Sequence, residues 1–369
     1  MGSGRVVADG CEWYHGPRRL ERNARKKAKN ERRCALMGYI DTRLRSADMR
    51  DKVLMRREKK VLLSQLRGSE QEKDLSVPTN CQGFGRVRHF CIERHRDWSP
   101  DPLPNLPAAR ALDKPSESTL RSQVFQLAAC NWNCWYCFVD RDHLTADLRT
   151  SRYFAADEIL DLYMQEENRP YVIDLSGGQP DLVPEWVLWM AEALERRGLD
   201  KEVFLWSDDN LSADYYRRCL TQSQRAYLAR YTSYSRVGCF KGYDEKSFSF
   251  NTSTSPELFT AQFAVFSGLL NEGLDLYAYV TFTAPPHKGL TASIARFVDR
   301  LQTIHPHLPL RTVPLKIEPF TPNMRNLTDE KQEALFFQHE VHHAWTDELA
   351  CRFALSEREK AICDVPMVT

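Results

Sequence analysis

The sequence predicts an α/β protein: a partial (β/α)6 TIM-like barrel with an N-terminal helical, Pro-rich extension and a C-terminal helix. The main observation is a regular alternation, after about residue 119, of short strand-like runs with helix-length amphipathic segments. The strand-like runs lie at Val124, Tyr171, Glu202, Ser235, Leu274 and Arg311. Strands alternating with helices pair in parallel through right-handed crossovers, so six units form a barrel two units short of closure, with its site at the strands' carboxyl ends.

Four segments follow from changes in composition. Residues 1–75 are expected to be a basic extension of two or three helices, since "RRLERNARKKAKNERR" holds nine Arg or Lys and two Glu. Residues 76–118 form a Pro-rich strap, whose stretch "WSPDPLPNLPAARALDKPSES" should sustain neither a helix nor a central strand. Residues 119–325 are the barrel core, and residues 326–369 are a C-terminal helical segment. The strap or this last helix is a candidate lid over the barrel.

The composition indicates which class of protein this is, but it does not indicate what the protein binds. The 51 Lys and Arg residues nearly cancel the 50 Asp and Glu residues, giving a net charge of +1. The sequence shows neither an apolar run of about 18 residues nor a secretory signal, so we expect no membrane span and a cytoplasmic location. Eleven cysteines, an odd number in a large chain, are then expected to be reduced thiols.

Three of these cysteines are clustered: Cys130, Cys134 and Cys137 fall within "CNWNCWYC", directly after the first predicted strand. A closed zinc site needs a fourth ligand, and no matching cysteine pair follows. A [4Fe–4S] cubane held by three cysteines instead leaves one iron free for a non-protein ligand. The rival interpretation is a zinc-binding, nucleic-acid-associated protein that uses His143 as the fourth ligand and the basic N-terminal arm as its binding surface.

The spacing CxxxCxΦC, with Tyr136 as the aromatic Φ, resembles the signature of radical S-adenosylmethionine (SAM) enzymes. The resemblance implies a [4Fe–4S] cluster on the three cysteines, SAM chelated at the free iron, and Tyr136 near the adenine. It also implies reductive cleavage of SAM to a 5′-deoxyadenosyl radical that abstracts hydrogen from a substrate. The electron would come from an external donor of flavodoxin or ferredoxin type.

A glycine-rich turn, "DLSGGQP", follows the second predicted strand. In the family this place holds a GGEP-like turn that binds the methionine amino group of SAM, so the resemblance implies SAM contacts from Ser176, Gly177, Gly178 and Gln179. Gln179 replaces the usual Glu and brings no negative charge, although its carbonyl oxygen still accepts a hydrogen bond.

Two further strand ends add candidates. In "WSDDN", Ser207 and Asp209 stand where relatives place polar groups near the SAM ribose or carboxylate. In "CFKGYDEKSF", Lys241 resembles the lysine of glycyl-radical-enzyme activases that approaches the SAM carboxylate. Relatives often carry an acid two residues earlier, where this chain has Cys239.

Several questions stay open at this point. The substrate could be a protein or peptide, a nucleotide or RNA, or a small metabolite. A second cluster would have to be assembled from dispersed cysteines, namely Cys81, Cys91, Cys351 and Cys363. His339 and His343 are four residues apart in a predicted helix, a geometry that can bind a metal, but we expect a solvated or core-edge role for them.

Overall fold

The computed structural model describes residues 38–92 and 97–367, so the basic run at residues 18–33 lies outside the described residues. The strands are β1 (Leu54–Met55), β2 (Lys60–Ser64), β3 (Gly85–Cys91), β4 (Thr119–Phe125), β5 (Ser151–Ala155), β6 (Val172–Leu175), β7 (Phe204–Asp209), β8 (Tyr234–Phe240), β9 (Leu276–Thr281) and β10 (Thr312–Leu315). The α-helices are α1 (Thr42–Val53), α2 (Asn105–Ala111), α3 (Ala156–Met164), α4 (Pro184–Arg196), α5 (Tyr215–Cys219), α6 (Gln222–Arg230), α7 (Glu245–Thr252), α8 (Glu257–Asn271), α9 (Leu290–Ile304), α10 (Thr321–Met324), α11 (Asp329–Arg352) and α12 (Leu355–Arg358). Short 3₁₀ helices cover Glu70–Asp74, Cys81–Gly83, Arg141–Leu144, Pro180–Leu182, Leu308–Arg311 and Ile362–Asp364.

The main sheet has seven strands in the order β10-β9-β8-β7-β6-β4-β3. The six strands from β4 to β10 in this sheet are parallel, and each pairs with the next along the chain. A doubly wound sheet would reverse its strand order at a switch point, and this one does not. The predicted partial (β/α)6 barrel is therefore confirmed.

The two faces of this sheet bury different layers. Ile173, Leu205 and Val280 belong to the large core shared with the helices outside the sheet. The alternate residues, such as Val172 and Trp206, belong to a smaller cluster on the inner face of the sheet, which we call the lumen. Because side chains alternate along a strand, this division assigns every sheet residue to the helix side or the lumen side.

The strap departs from its prediction in two places. Its residues 85–91 form β3, which pairs antiparallel with β4 at the end of the sheet. The prediction that the Pro-rich stretch holds no helix is wrong, because Asn105–Ala111 form α2. Pro107 is the third residue of α2, and the first turn of a helix tolerates proline because its N–H groups lack intrahelical partners.

The first segment is also not wholly helical. Only α1 falls in its described part, and a β1–β2 hairpin follows it and pairs with β5 in a separate three-stranded sheet. Val61 and Leu62, expected to be helical, lie in β2, where both side chains are buried. A short apolar run does not by itself distinguish a strand from a buried helix, and pairing with β5 decided the outcome.

The C-terminal helix α11 holds the strap against the barrel. It packs on α9, and its His342 ring stacks on Trp98 of the strap with centroids 4.3 Å apart. Leu103 and Ala108 of the strap then lie in the lumen cluster. This part of the strap covers the inner face of the sheet. Among the described helices, none is long and apolar enough to span a bilayer.

Candidate functional site

The cysteine loop begins directly beyond the carboxyl end of β4, the edge where parallel barrels build their sites. Neighbouring backbone fixes its start, since the Cys130 N–H donates to the Leu144 carbonyl at 3.1 Å and the Cys130 carbonyl accepts from Arg45 Nε at 3.2 Å. Two indole N–H groups anchor its middle: Trp132 donates to Thr42 and Trp135 to Asn251, each at 3.0 Å. The loop is therefore held rigidly by α1 and α7.

The three thiols share one small cavity of about 40 Å³ and form no disulfide. Burial raises the pKa of Cys134 to about 12 and that of Cys137 to about 11, and it also raises the pKa of Cys130. Buried thiols hold their protons unless a cation stabilises the thiolate. This donor set suits a bound metal centre, because it offers three sulfur ligands and none of them is in a disulfide.

Tyr136, the aromatic member of the motif, is buried beside these thiols. Its hydroxyl is 3.0 Å from Thr281 Oγ1 at the end of β9, and its ring packs edge-to-face on Trp135 with centroids 5.6 Å apart. Tyr136 thus reaches across the mouth of the barrel from the β4 loop to β9.

The glycine turn after β6 packs directly on the start of the cysteine loop. Gly177 and Gly178 have φ values of +87° and +67°. A Cβ on Gly178 would lie 2.3 Å from the Leu127 carbonyl oxygen and 2.5 Å from that of Ala129. The Gln179 N–H donates to the same Ala129 carbonyl at 2.8 Å. At Gly178 the contact that needs glycine is therefore with the protein's own backbone.

Gln179 and Asp209 form part of a buried network. The Gln179 amide donates to Asp209 Oδ1 at 2.7 Å and accepts from the Asn210 N–H at 2.9 Å. Asp209 Oδ2 accepts from Arg236 at 3.0 Å, and Arg236 also donates to Asp181. Although burial lowers the pKa of the Arg236 guanidinium, the neighbouring Asp181 and Tyr234 raise it well above the usual value. This network joins the ends of β6 and β7 on the helix side.

The two serines predicted as SAM contacts point in different directions. Ser207 pairs in register with Leu175 on the helix side, and its hydroxyl is 2.9 Å from the Tyr234 hydroxyl. Ser176 donates to Asp208 Oδ2 at 2.8 Å, and Asp208 follows Trp206 on the lumen side. The structure therefore brings Ser176 to the lumen and Ser207 to the helix layer.

Lys241 lies close to the cysteines. Burial lowers the pKa of its ammonium, but the nearby Cys239, Tyr136 and Cys134 outweigh this and raise the pKa well above its usual value. Its backbone is fixed by Gln262 and Asn251. No described residue accepts a hydrogen bond from its ammonium group, which leaves this cation free for an anionic ligand.

The lumen holds acidic residues that no sequence motif indicated. Asp174 and Asp208 lie on adjacent strands, and burial raises the pKa of both carboxyls. Asp101 of the strap accepts from the Tyr279 hydroxyl at 3.0 and 3.1 Å, and burial raises its pKa to about 6. A signal for Asp174 was present, because "VIDL" carries one acid inside an otherwise apolar strand.

The remaining metal candidates are dispersed or occupied. His143 Nε2 donates to the Gln65 carbonyl at 2.8 Å, whereas its Nδ1 has no hydrogen-bond partner. His143 does not line the cavity that the three thiols share. Cys81 is buried in the helix-side core, whereas Cys363 packs against the lumen cluster. Across residues 38–92 and 97–367, no three His, Cys, Asp or Glu side chains, the three clustered cysteines included, are placed to bind a single metal ion. A [4Fe–4S] cluster makes a different demand, because each cysteine binds its own iron.

No family model matches the sequence, and the search of curated proteins found no match. In structure the chain is similar to SuiB from Streptococcus suis: SuiB bound to the precursor peptide SuiA has a TM-score of 0.35 at 15% identity, and covers 49% of this chain and 36% of that chain. SuiB bound to S-adenosylmethionine has a TM-score of 0.42 at 14% identity, with 63% of this chain and 48% of that chain covered. A further SuiB structure has a TM-score of 0.39 at 14% identity, with 63% and 47% covered. The chain thus spans less than half the length of each of these three.

Proposed function

We propose that this chain is a radical SAM enzyme that binds a [4Fe–4S] cluster through Cys130, Cys134 and Cys137. When bound, the cluster and SAM would supply one-electron cleavage to a 5′-deoxyadenosyl radical, which abstracts hydrogen from a substrate. The observation that carries the proposal is the donor set: three half-buried thiols share one cavity on the loop after the first parallel strand, and His143 does not line that cavity.

The chain's own residues would orient the SAM molecule. Lys241 offers an unpaired ammonium group beside the thiols, suited to a carboxylate. Tyr136 presents a buried ring at the mouth of the barrel, a surface for a flat base. The turn at Gly177 and Gly178 fixes the cysteine loop through backbone contact. Ser176 can reach SAM from the lumen, whereas Gln179 and Asp209 support it through the network that joins β6 and β7, and Ser207 supports it through its contact with Tyr234.

The rest of the barrel would exclude water and receive the substrate. The strap covers part of the lumen with Leu103 and Ala108, and α11 holds the strap in place through Trp98. Water exclusion matters because a reactive radical intermediate is otherwise lost to side reactions. A peptide, a nucleotide or RNA, and a small metabolite are the substrate classes, and the electron donor is an external flavodoxin or ferredoxin-like protein in the cytoplasm.

The test is anaerobic reconstitution with iron and sulfide, followed by incubation with SAM and dithionite. We expect about four irons per chain, absorbance near 400 nm, and release of 5′-deoxyadenosine. Cys134→Ala should lose the iron and the cleavage, whereas Cys351→Ala, at an exposed position on α11, should keep both.

Two outcomes contradict the proposal. Tight binding of zinc with no bound iron favours the zinc protein. Full iron loading without release of 5′-deoxyadenosine shows that the cluster does not serve SAM cleavage. About eight irons per chain would instead indicate a second cluster on the dispersed cysteines.

A further inference from the structure

Four buried side chains near the mouth of the lumen hold polar atoms without a hydrogen-bond partner. Both carboxylate oxygens of Asp174 are unpartnered, as are Arg86 Nε, Gln71 Oε1 and Gln126 Nε2. Asp174 is 1% exposed, Gln71 2% and Arg86 6%. Because a buried polar atom without a partner costs free energy, its presence in a native structure needs an explanation. A concentration of such atoms in one region points to a polar ligand.

The sheet places the two charged members on one face. Arg86 and Asp174 are both in register with Val124 of β4, which lies between them. Residues in one such row point to the same side of the sheet, so both side chains face the lumen. Two strand spacings separate their backbones, roughly 10 Å. They influence each other's charge, yet they share neither a hydrogen bond nor an ion pair.

Arg86 also borders a cavity large enough for a ligand. The cavity measures about 260 Å³, and Gln71 and Arg88 line it together with two aromatic rings. These rings, Phe138 and Phe320, pack edge-to-face with centroids 6.1 Å apart, and the Arg86 guanidinium lies 4.9 Å from the Phe138 centroid. Phe138 follows Cys137 directly, so this cavity adjoins the cysteine loop.

The acid that lines this cavity, Asp74, is already engaged. Asp74 accepts from the Thr321 N–H at 2.9 Å and from its hydroxyl at 2.7 Å. No comparable acid pairs with Arg86 or Arg88 among the described residues. The cavity therefore presents unpaired cations and an apolar wall, and the unpaired Asp174 carboxyl lies behind Arg86 in the lumen.

We propose that this region binds the head group of an α-amino acid: its carboxylate on Arg86, its ammonium on Asp174, and an aromatic side chain against the apolar wall formed by Phe138 and Phe320. A ligand that satisfies both side chains must carry an anionic group for the Arg86 guanidinium and a hydrogen-bond donor for the Asp174 carboxyl, and the carboxylate and ammonium of an amino acid supply them. An isolated phosphate would meet the carboxyl of Asp174 unfavourably, and an isolated amine would meet Arg86 unfavourably. The free Gln71 carbonyl oxygen and Gln126 N–H add one acceptor and one donor for the same two groups.

This inference rests on the proposed function, because it names the substrate class that the lumen would receive. It does not depend on radical chemistry for its test, since binding can be measured without SAM cleavage. A free aromatic amino acid is the committed ligand. S-Adenosylmethionine also carries an amino-acid head group and is therefore the competing occupant.

The test is titration calorimetry of the full chain with L-phenylalanine, N-acetyl-L-phenylalanine and L-phenylalaninamide. We expect L-phenylalanine to bind, and each derivative, which lacks one charge, to bind about tenfold or more weakly. Asp174→Asn should weaken L-phenylalanine about tenfold and leave the N-acetyl derivative unchanged. Arg86→Gln should weaken L-phenylalanine similarly and leave the amide unchanged. Arg149→Gln, at an exposed arginine, is the matched control and should bind as the wild type does.

Several results would overturn the inference. One is the absence of binding by L-phenylalanine, L-tyrosine and L-tryptophan at concentrations up to about 10 mM, since a dissociation constant above that value is too weak for a specific site. Another is equal affinity for all three phenylalanine compounds. This comparison uses the wild-type protein alone, so it remains valid even if a variant fails to fold. A third is loss of S-adenosylmethionine binding in both Asp174→Asn and Arg86→Gln, which would show that these two side chains bind the cofactor instead of an amino acid. Release of 5′-deoxyadenosine without amino-acid binding contradicts this inference alone. Amino-acid binding without release of 5′-deoxyadenosine contradicts the proposed function alone.

Discussion

Replacing Gly178 with alanine tests whether backbone contact with the glycine turn holds the cysteine loop. The new Cβ would lie 2.3 Å from the Leu127 carbonyl oxygen and 2.5 Å from the Ala129 carbonyl oxygen. Neither atom belongs to a flexible side chain, so the loop leading to Cys130 must move. The movement also strains the hydrogen bond from the Gln179 N–H to Ala129.

The expected loss in the free energy of unfolding has two parts, and a second glycine variant separates them. Gly178 has a φ of +67°, where an alanine costs roughly 1–2 kcal/mol. The enforced backbone shift adds about 1–3 kcal/mol, the usual range for overpacking. Gly198 has a φ of +69° with no atom within 4 Å of an added Cβ, so Gly198→Ala carries only the first part. We expect losses of about 2–5 kcal/mol for Gly178→Ala and about 1–2 kcal/mol for Gly198→Ala.

Equilibrium denaturation in guanidinium chloride measures both free energies of unfolding, and iron analysis after reconstitution measures cluster binding. Gly178→Ala should bind less iron than the wild type, and Gly198→Ala should bind the same amount. Equal stability losses in the two variants, together with equal iron contents, would refute the role given to Gly178.

Three further predictions concern charges. Arg236→Met leaves two buried acids without their cation, so we expect it to lower the free energy of unfolding by about 3–5 kcal/mol, against less than about 0.5 kcal/mol for the exposed Arg149→Met. The Asp101 carboxyl, whose pKa is about 6 in the fold, binds a proton that the unfolded chain loses near pH 4. Stability should therefore fall as pH rises from about 4 to 6, by up to roughly 3 kcal/mol, and urea unfolding of Asp101→Asn should lack this slope. Lys241→Met should weaken SAM binding in equilibrium dialysis about tenfold or more without changing iron content, and unchanged affinity, or an equal loss in the exposed Lys246→Met, would contradict its role.

The strand order and the place of the cysteine loop were predictable because both follow from local sequence. Six apolar runs separated by helix-length segments leave few pairings other than a sequential parallel sheet. A loop after the first strand must then lie at the carboxyl edge, as the loop at Cys130 does. The charge on Asp174 inside an apolar strand could also have been read as functional.

The contacts of the predicted SAM-binding residues were not predictable. Gln179 and Asp209 were chosen for their position at strand ends, but their partner Arg236 lies more than 25 residues further along the chain. Ser207 differs from Ser176 only by the face of the sheet it occupies, which depends on register. A single position in the register moves a side chain from the lumen to the helix layer.

Hydrophobic periodicity and the spacing of cysteines are local properties of a chain, so they were enough to predict the architecture and the thiol cluster. Which polar groups remain free depends instead on contacts between distant parts of the fold. Arg86 enters the lumen because the strap returns as β3, antiparallel to β4, and Asp174 faces the same space from β6. Whether two charges pair or stand apart depends on the positions of strands distant in sequence, and no local pattern contains those positions.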